Sequence, residues 1–88
     1  MIVQGELDLA TAGRLLMAVD VCAPEADDLV LDCRELTFVD GAGARALLDI
    51  AAGLPNGRQL VLQGLSGLVL RVIRLLRLDS HPRIVLRT

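Results

Sequence analysis

Apolar residues come in short bursts separated by glycine, proline and acidic breaks, and their spacing alternates between that of strands and that of helices. Ile2 to Gln4 reads as the end of a strand, and Gly5-Glu6-Leu7-Asp8 as a turn. Leu15, Leu16, Val19 and Cys22 then recur at helical spacing, with Asp8 or Thr11 as the cap and Pro24 just past the stop. Leu29-Val30-Leu31 predicts a short buried strand, followed by an irregular stretch from Asp32 to Thr37. Ala44, Leu47, Leu48 and Ala51 predict a helix over 41–52, closed by Gly53, Pro55, Asn56 and Gly57. Gln59 to Gln63 predicts a third strand. Leu65 to Leu78 predicts a helix with Leu65, Leu68, Val69, Val72 and Leu76 on its packed face, and Ile84 to Leu86 a last strand. The order βαβαβαβ implies an α/β fold: a central sheet covered by helices, with right-handed crossovers between parallel neighbours.

The chain has 88 residues, which suits a single domain over 1–88. Phe38 is its one aromatic residue, so the core must be built from Leu, Val, Ile and Ala. A core this small leaves room for stabilisation by a second copy, and a homodimer is an expectation on that ground. The net charge of −2 and the lack of stacking aromatics argue against nucleic acid as a ligand. All nine cations are arginine. They interrupt each apolar run well short of the ~18 residues of a membrane span, so no direct membrane insertion is expected and the chain reads as cytoplasmic. Cys22 and Cys33 have neither CxxC spacing nor nearby histidines, which predicts small core residues rather than a disulfide framework or a metal site.

The sharpest local feature is Phe38-Val39-Asp40-Gly41-Ala42-Gly43, an apolar pair running into a turn of small residues that launches a helix. Asp40 is placed to cap that helix, and Gly41 and Gly43 to permit a positive-φ turn and close backbone approach. Gly41 to Ala46 also matches the spacing G-x-G-x-x-A of dinucleotide-binding folds. That reading fails because Cys33 to Asp40 separate the glycines from the predicted strand and the next strand ends in Gln63 rather than an acid. The turn carries no hydroxyl, thiol or imidazole, His81 stands alone between Ser80 and Pro82, and Asp8 and Asp40 have no partner base. No catalytic residue, cofactor or metal is expected. Thr11, Thr37, Ser66 and Ser80 read as cap or turn residues. Arg71, Arg74 and Arg77 recur every three residues as a solvated face or a basic stripe for an acidic partner or a lipid headgroup.

In order and spacing, Gly5-Glu6-Leu7-Asp8 with Thr11-Ala12, Leu29-Val30-Leu31-Asp32, Phe38-Val39-Asp40, Gly41-Ala42-Gly43, Leu60-Val61-Leu62-Gln63-Gly64 and Leu75-Leu78 resemble the STAS domain of bacterial anti-sigma factor antagonists. The resemblance covers nearly the whole chain. It implies a mixed sheet covered by helices, here shortened at both ends by a strand and a helix. It also implies a regulatory protein that docks on a kinase-type anti-sigma factor through this turn. The serine that the kinase would phosphorylate falls on Ala42, so the regulated position is degenerate. The implied docking set is Asp8, Asp40, Gly41, Ala42, Gly43 and Arg45. Two alternatives come from other classes. One is an accessory subunit that supports the ATPase of an ABC transporter, as the STAS component of bacterial lipid-transport complexes does. The other is a self-assembling scaffold.

Overall fold

The computed structural model describes residues 1–22 and 27–87. Its elements are β1 (Ile2–Leu7), α1 (Leu9–Cys22), β2 (Leu29–Val39), α2 (Gly41–Gly53), β3 (Leu60–Gln63), α3 (Gly67–Leu75), a 3-10 turn (Leu78–Ser80) and β4 (Ile84–Arg87). The strands form one sheet in the order β1-β2-β3-β4, with every neighbouring pair parallel. The sheet expected from the resemblance is mixed; the four described strands are all parallel. Each connection between neighbours carries a helix and steps one strand in the same direction, so right-handed crossovers lay the helices on one face.

Strand alternation supplies the other half of the core. Leu29, Leu31 and Cys33 of β2, Leu60 and Leu62 of β3 and Ile84 of β4 join Leu15, Val19, Ala44, Leu47, Ile50, Ala51, Val69 and Ile73 in one buried cluster. Val61, between Leu60 and Leu62, is also buried but lies outside that cluster. It is in register with Val30 and Val85, forming an apolar row across the opposite face.

Four sequence expectations change. The Gly5–Leu7 turn is strand, and the chain leaves the sheet only at Asp8. The irregular stretch from Asp32 to Thr37 is the middle of an eleven-residue strand. Two register shifts, between Ile2/Gln4 and between Gly5/Glu6, each insert one extra residue into β2. The buried positions therefore run Leu29, Leu31, Cys33, Leu36, Val39, and the period of two is broken twice. At the first shift Arg34 folds back on Asp32, with Nε donating at 3.0 Å and Nη2 at 2.7 Å, and this guanidinium holds the Asp32 carboxyl below its usual range.

The third change concerns α3, which starts at Gly67 and stops at Leu75 rather than running to Leu78. Arg77 takes a left-handed conformation (φ 59°) that turns Leu78 inward to 1 % exposure. Fourth, the packed face of α3 is Leu65, Val69 and Ile73 together with Leu78, whereas Leu68 and Leu76 are exposed. The side chain of Cys22 and the position of Pro24 fall outside the described residues.

A direct contrast checks this face of α3. Ile73→Ala should lower unfolding stability by about 2–5 kcal/mol through the cavity it leaves, while Leu68→Ala should cost under about 1 kcal/mol, both read from urea melts.

Candidate docking edge at the carboxyl ends of β1 and β2

β1 and β2 end together, with Leu7 paired to Val39, so the residues that follow them share one edge of the sheet. Asp8 follows Leu7 and Asp40 follows Val39. The Asp40 N–H donates to the Leu7 carbonyl at 3.2 Å, tying the two strand ends to each other.

Each aspartate caps the helix that follows it. Asp8 Oδ1 accepts from the Ala10 N–H at 3.0 Å and the Thr11 N–H at 3.1 Å, while the Thr11 hydroxyl accepts from the Asp8 N–H at 2.9 Å. The two cap candidates thus act together as a reciprocal pair. Asp40 Oδ1 accepts from the Gly43 N–H at 2.9 Å, and its carbonyl takes the first helical bond, from Ala44, at 2.8 Å. Both carboxylates are engaged by backbone donors, which suits them to shaping the edge rather than to proton transfer.

The two glycines have different reasons to be glycine, and neither is a positive φ, which is found instead at Gly5, Gly57, Gly64 and Gly67. A Cβ on Gly41 would point into open space, whereas one on Gly43 would overlap the Leu7 carbonyl oxygen. Close approach is therefore the role of Gly43 alone, and it seats the first turn of α2 on the end of β1. Ala42, the second residue of α2, is half-buried and brings only a methyl group to the edge. Arg45 is exposed and forms an i,i+4 ion pair with Asp49 at 3.2 Å, a contact worth only about 0.3–0.5 kcal/mol and easily exchanged for a partner's carboxylate.

The apolar pair expected ahead of the turn divides, and only Phe38 is left to form an apolar lip. Val39 is buried, and Phe38, 42 % exposed, shares a small cleft with Leu68, Val69 and Val72. β3 stops opposite Asp32, so among the described residues no strand pairs with the upper half of β2 on that side, and α3 packs against β2. Leu68 and Val72 join the edge in this way. Helical spacing places both on the packed face with Leu65, Val69 and Leu76.

The Thr37 and Ser80 hydroxyls and the His81 imidazole are in structural use. Thr37 Oγ1 donates to the Gly5 carbonyl at 3.0 Å, Ser80 Oγ donates to the Arg77 carbonyl at 2.7 Å, and His81 Nδ1 accepts from the Arg83 N–H at 3.0 Å. Ser66 precedes α3 without a side-chain cap bond. Cys33 is buried, and desolvation, with the Asp32 carboxylate adding to it, pushes its thiol up to about 11. Among the described residues no three His, Cys, Asp or Glu side chains gather as metal ligands.

A parallel α/β domain whose best-defined edge is built from caps, small residues and an apolar lip has the form of a protein-interaction module. The chain belongs to the STAS domain family: the family model described as "Mlab, STAS domain" matches residues 1–87. STAS domains are generally binding modules without enzymatic activity. Among solved structures, a sulfate transporter family protein from Wolinella succinogenes has the same fold, with a TM-score of 0.78 at 20% identity over 97% of this chain and 73% of that one. No curated protein matches the sequence.

Two predictions test the edge. Gly43→Ala should cost about 1–3 kcal/mol through overpacking against Leu7, while Gly41→Ala stays within about 1 kcal/mol of wild type, both measured by thermal or urea unfolding. An unfolded thiol ionises near about 8.5, and the folded Cys33 thiol only at about 11. In that window the folded chain keeps a proton that the unfolded chain releases, so stability should fall as pH rises through about 9. Urea melts across this range should show the decline in wild type and a shallower one in Cys33→Ala.

Proposed function

We propose that residues 1–88 act as one cytoplasmic, non-enzymatic regulatory module that docks on a protein partner through the edge formed by Asp8, Asp40, Gly41, Ala42, Gly43 and Arg45. The observation that carries this reading is Ala42. It stands half-buried in the first turn of α2, at the position where the resemblance places a phosphorylated serine, and it offers no oxygen to modify. Docking there is constitutive with respect to a serine kinase. The methyl group, the Gly41 backbone and the Phe38–Leu68 lip give a surface read by shape, and Arg45 adds a charge that a partner's acid can take.

A transporter ATPase is the partner this reading favours, since residue 42 of the edge lacks the hydroxyl that a serine kinase would modify. Docking on a kinase-type anti-sigma factor, with a role in bacterial transcription regulation, is the second reading. It rests on the order and spacing of the motifs around the same turn.

Ala42→Glu separates docking from folding, because a carboxylate in the first turn of a helix interacts favourably with the helix dipole by about 0.3–1 kcal/mol. The variant should melt at or slightly above the wild-type temperature yet bind its partner at least ~10-fold more weakly, the result of placing charge in a shape-matched contact. Affinity capture from the native host, with wild type and variant side by side, reads this out. A transporter ATPase lost in the variant supports the first reading, and an anti-sigma kinase lost in the variant supports the second. Equal recovery from both baits removes this edge from the interface, and recovery of the chain alone points to a self-assembling scaffold.

A further inference from the structure

The outer side of α3 combines charge and exposed hydrocarbon, and of its residues only Leu68 is shared with the docking edge. Arg71, Arg74 and Arg77 are exposed, and none of their side chains joins the two ion pairs found among the described residues. Leu68 is 64% and Leu75 73% exposed. No acidic residue occurs from Gln63 to Leu78, although the whole chain is net negative. With Ile73 fully buried, residues 71, 74 and 75 point outward, and Arg71, Arg74, Leu70, Leu75 and Gly67 line a shallow groove of about 350 Å³.

We infer that this ridge adsorbs to an anionic phospholipid surface, with Leu68 and Leu75 entering the acyl boundary while Arg71 and Arg74 bind headgroup phosphates. Charge complementarity selects the ligand: unpaired guanidinium groups match phosphate oxygens in a bidentate manner, and a polar face of arginines is suited to the headgroup layer. The shape of the ridge selects a bilayer over a folded partner. Its leucines protrude from a convex helix beside a shallow groove, and a fluid acyl layer receives them without a complementary pocket. Each arginine at such a surface contributes ~1 kcal/mol, about fivefold in partitioning, so the adsorption is weak, reversible and salt-sensitive.

The inference shares Leu68 with the Ala42 edge but does not depend on which partner binds there, and the test needs only the purified chain. Cosedimentation would use vesicles of equal parts phosphatidylcholine and phosphatidylglycerol, with pure phosphatidylcholine vesicles and free phosphatidylglycerol headgroup (glycerol phosphate) as comparisons. The chain should sediment with the mixed vesicles at low ionic strength, stay in solution with the neutral ones, and be released in ~1 M NaCl, where the Debye length is ~3 Å. Millimolar glycerol phosphate should not displace it, because the leucines need a bilayer. Arg71→Gln with Arg74→Gln should lower partitioning by roughly 25-fold, and Leu75→Ser should weaken it with an unchanged salt slope. Arg14→Gln, on α1, removes the same charge elsewhere and should leave partitioning within about twofold. Thermal melts confirm that each variant is folded. Failure of the wild-type chain to bind the mixed vesicles overturns the inference and leaves the ridge to an acidic protein. So does an equal loss in Arg14→Gln, which would make the attraction one of net charge alone.

Discussion

The architecture of the candidate docking edge depends on one close approach, that of Gly43 to the Leu7 carbonyl. A helix that follows a strand is free to start at many heights and tilts. Here the first turn of α2 rests on the backbone of the neighbouring strand, at a distance only a residue without a Cβ allows. The same carbonyl accepts the Asp40 N–H, and the Asp40 carboxylate accepts the Gly43 N–H. Strand end, cap and helix are locked in a closed loop of contacts. Ala42 is held at the edge as a consequence.

Both acidic residues on this edge serve the backbone. Asp8 and Asp40 satisfy the orphan donors of α1 and α2, and because they follow paired strand ends the two helix starts lie side by side. That pairing explains an edge rich in order and poor in reactive groups. What it presents is the exposed first residues of helices, small side chains and the half-exposed ring of Phe38. Binding by fit follows from such a surface more readily than proton transfer or nucleophilic attack.

The length of β2 is the second organising feature. The two extra residues let it run past the end of β3 while returning Leu36 and Val39 to the core side. α3 then occupies the space that β3 leaves, bringing Leu68 and Val72 to Phe38 and turning its arginines outward. The Asp32–Arg34 clasp spans the first of these inserted residues. One irregular strand thus shapes both the apolar lip and the placement of the basic ridge.

Local signals in the sequence were enough for the order of elements, the α2 helix with its Asp40 cap and the short strands β3 and β4. Each depends on contacts within a few residues or on regular periodicity, which a linear pattern records. Tertiary structure decided the rest. The bulges erased the alternation that would have marked Asp32–Thr37 as strand, since an inserted residue is defined only against its partner strand. Which leucines of α3 are core was set by where the helix packs on β2, and its early stop by the left-handed turn at Arg77. The sequence showed that residue 43 is glycine; only the position of Leu7, thirty-six residues earlier in the chain, supplied the reason it must be.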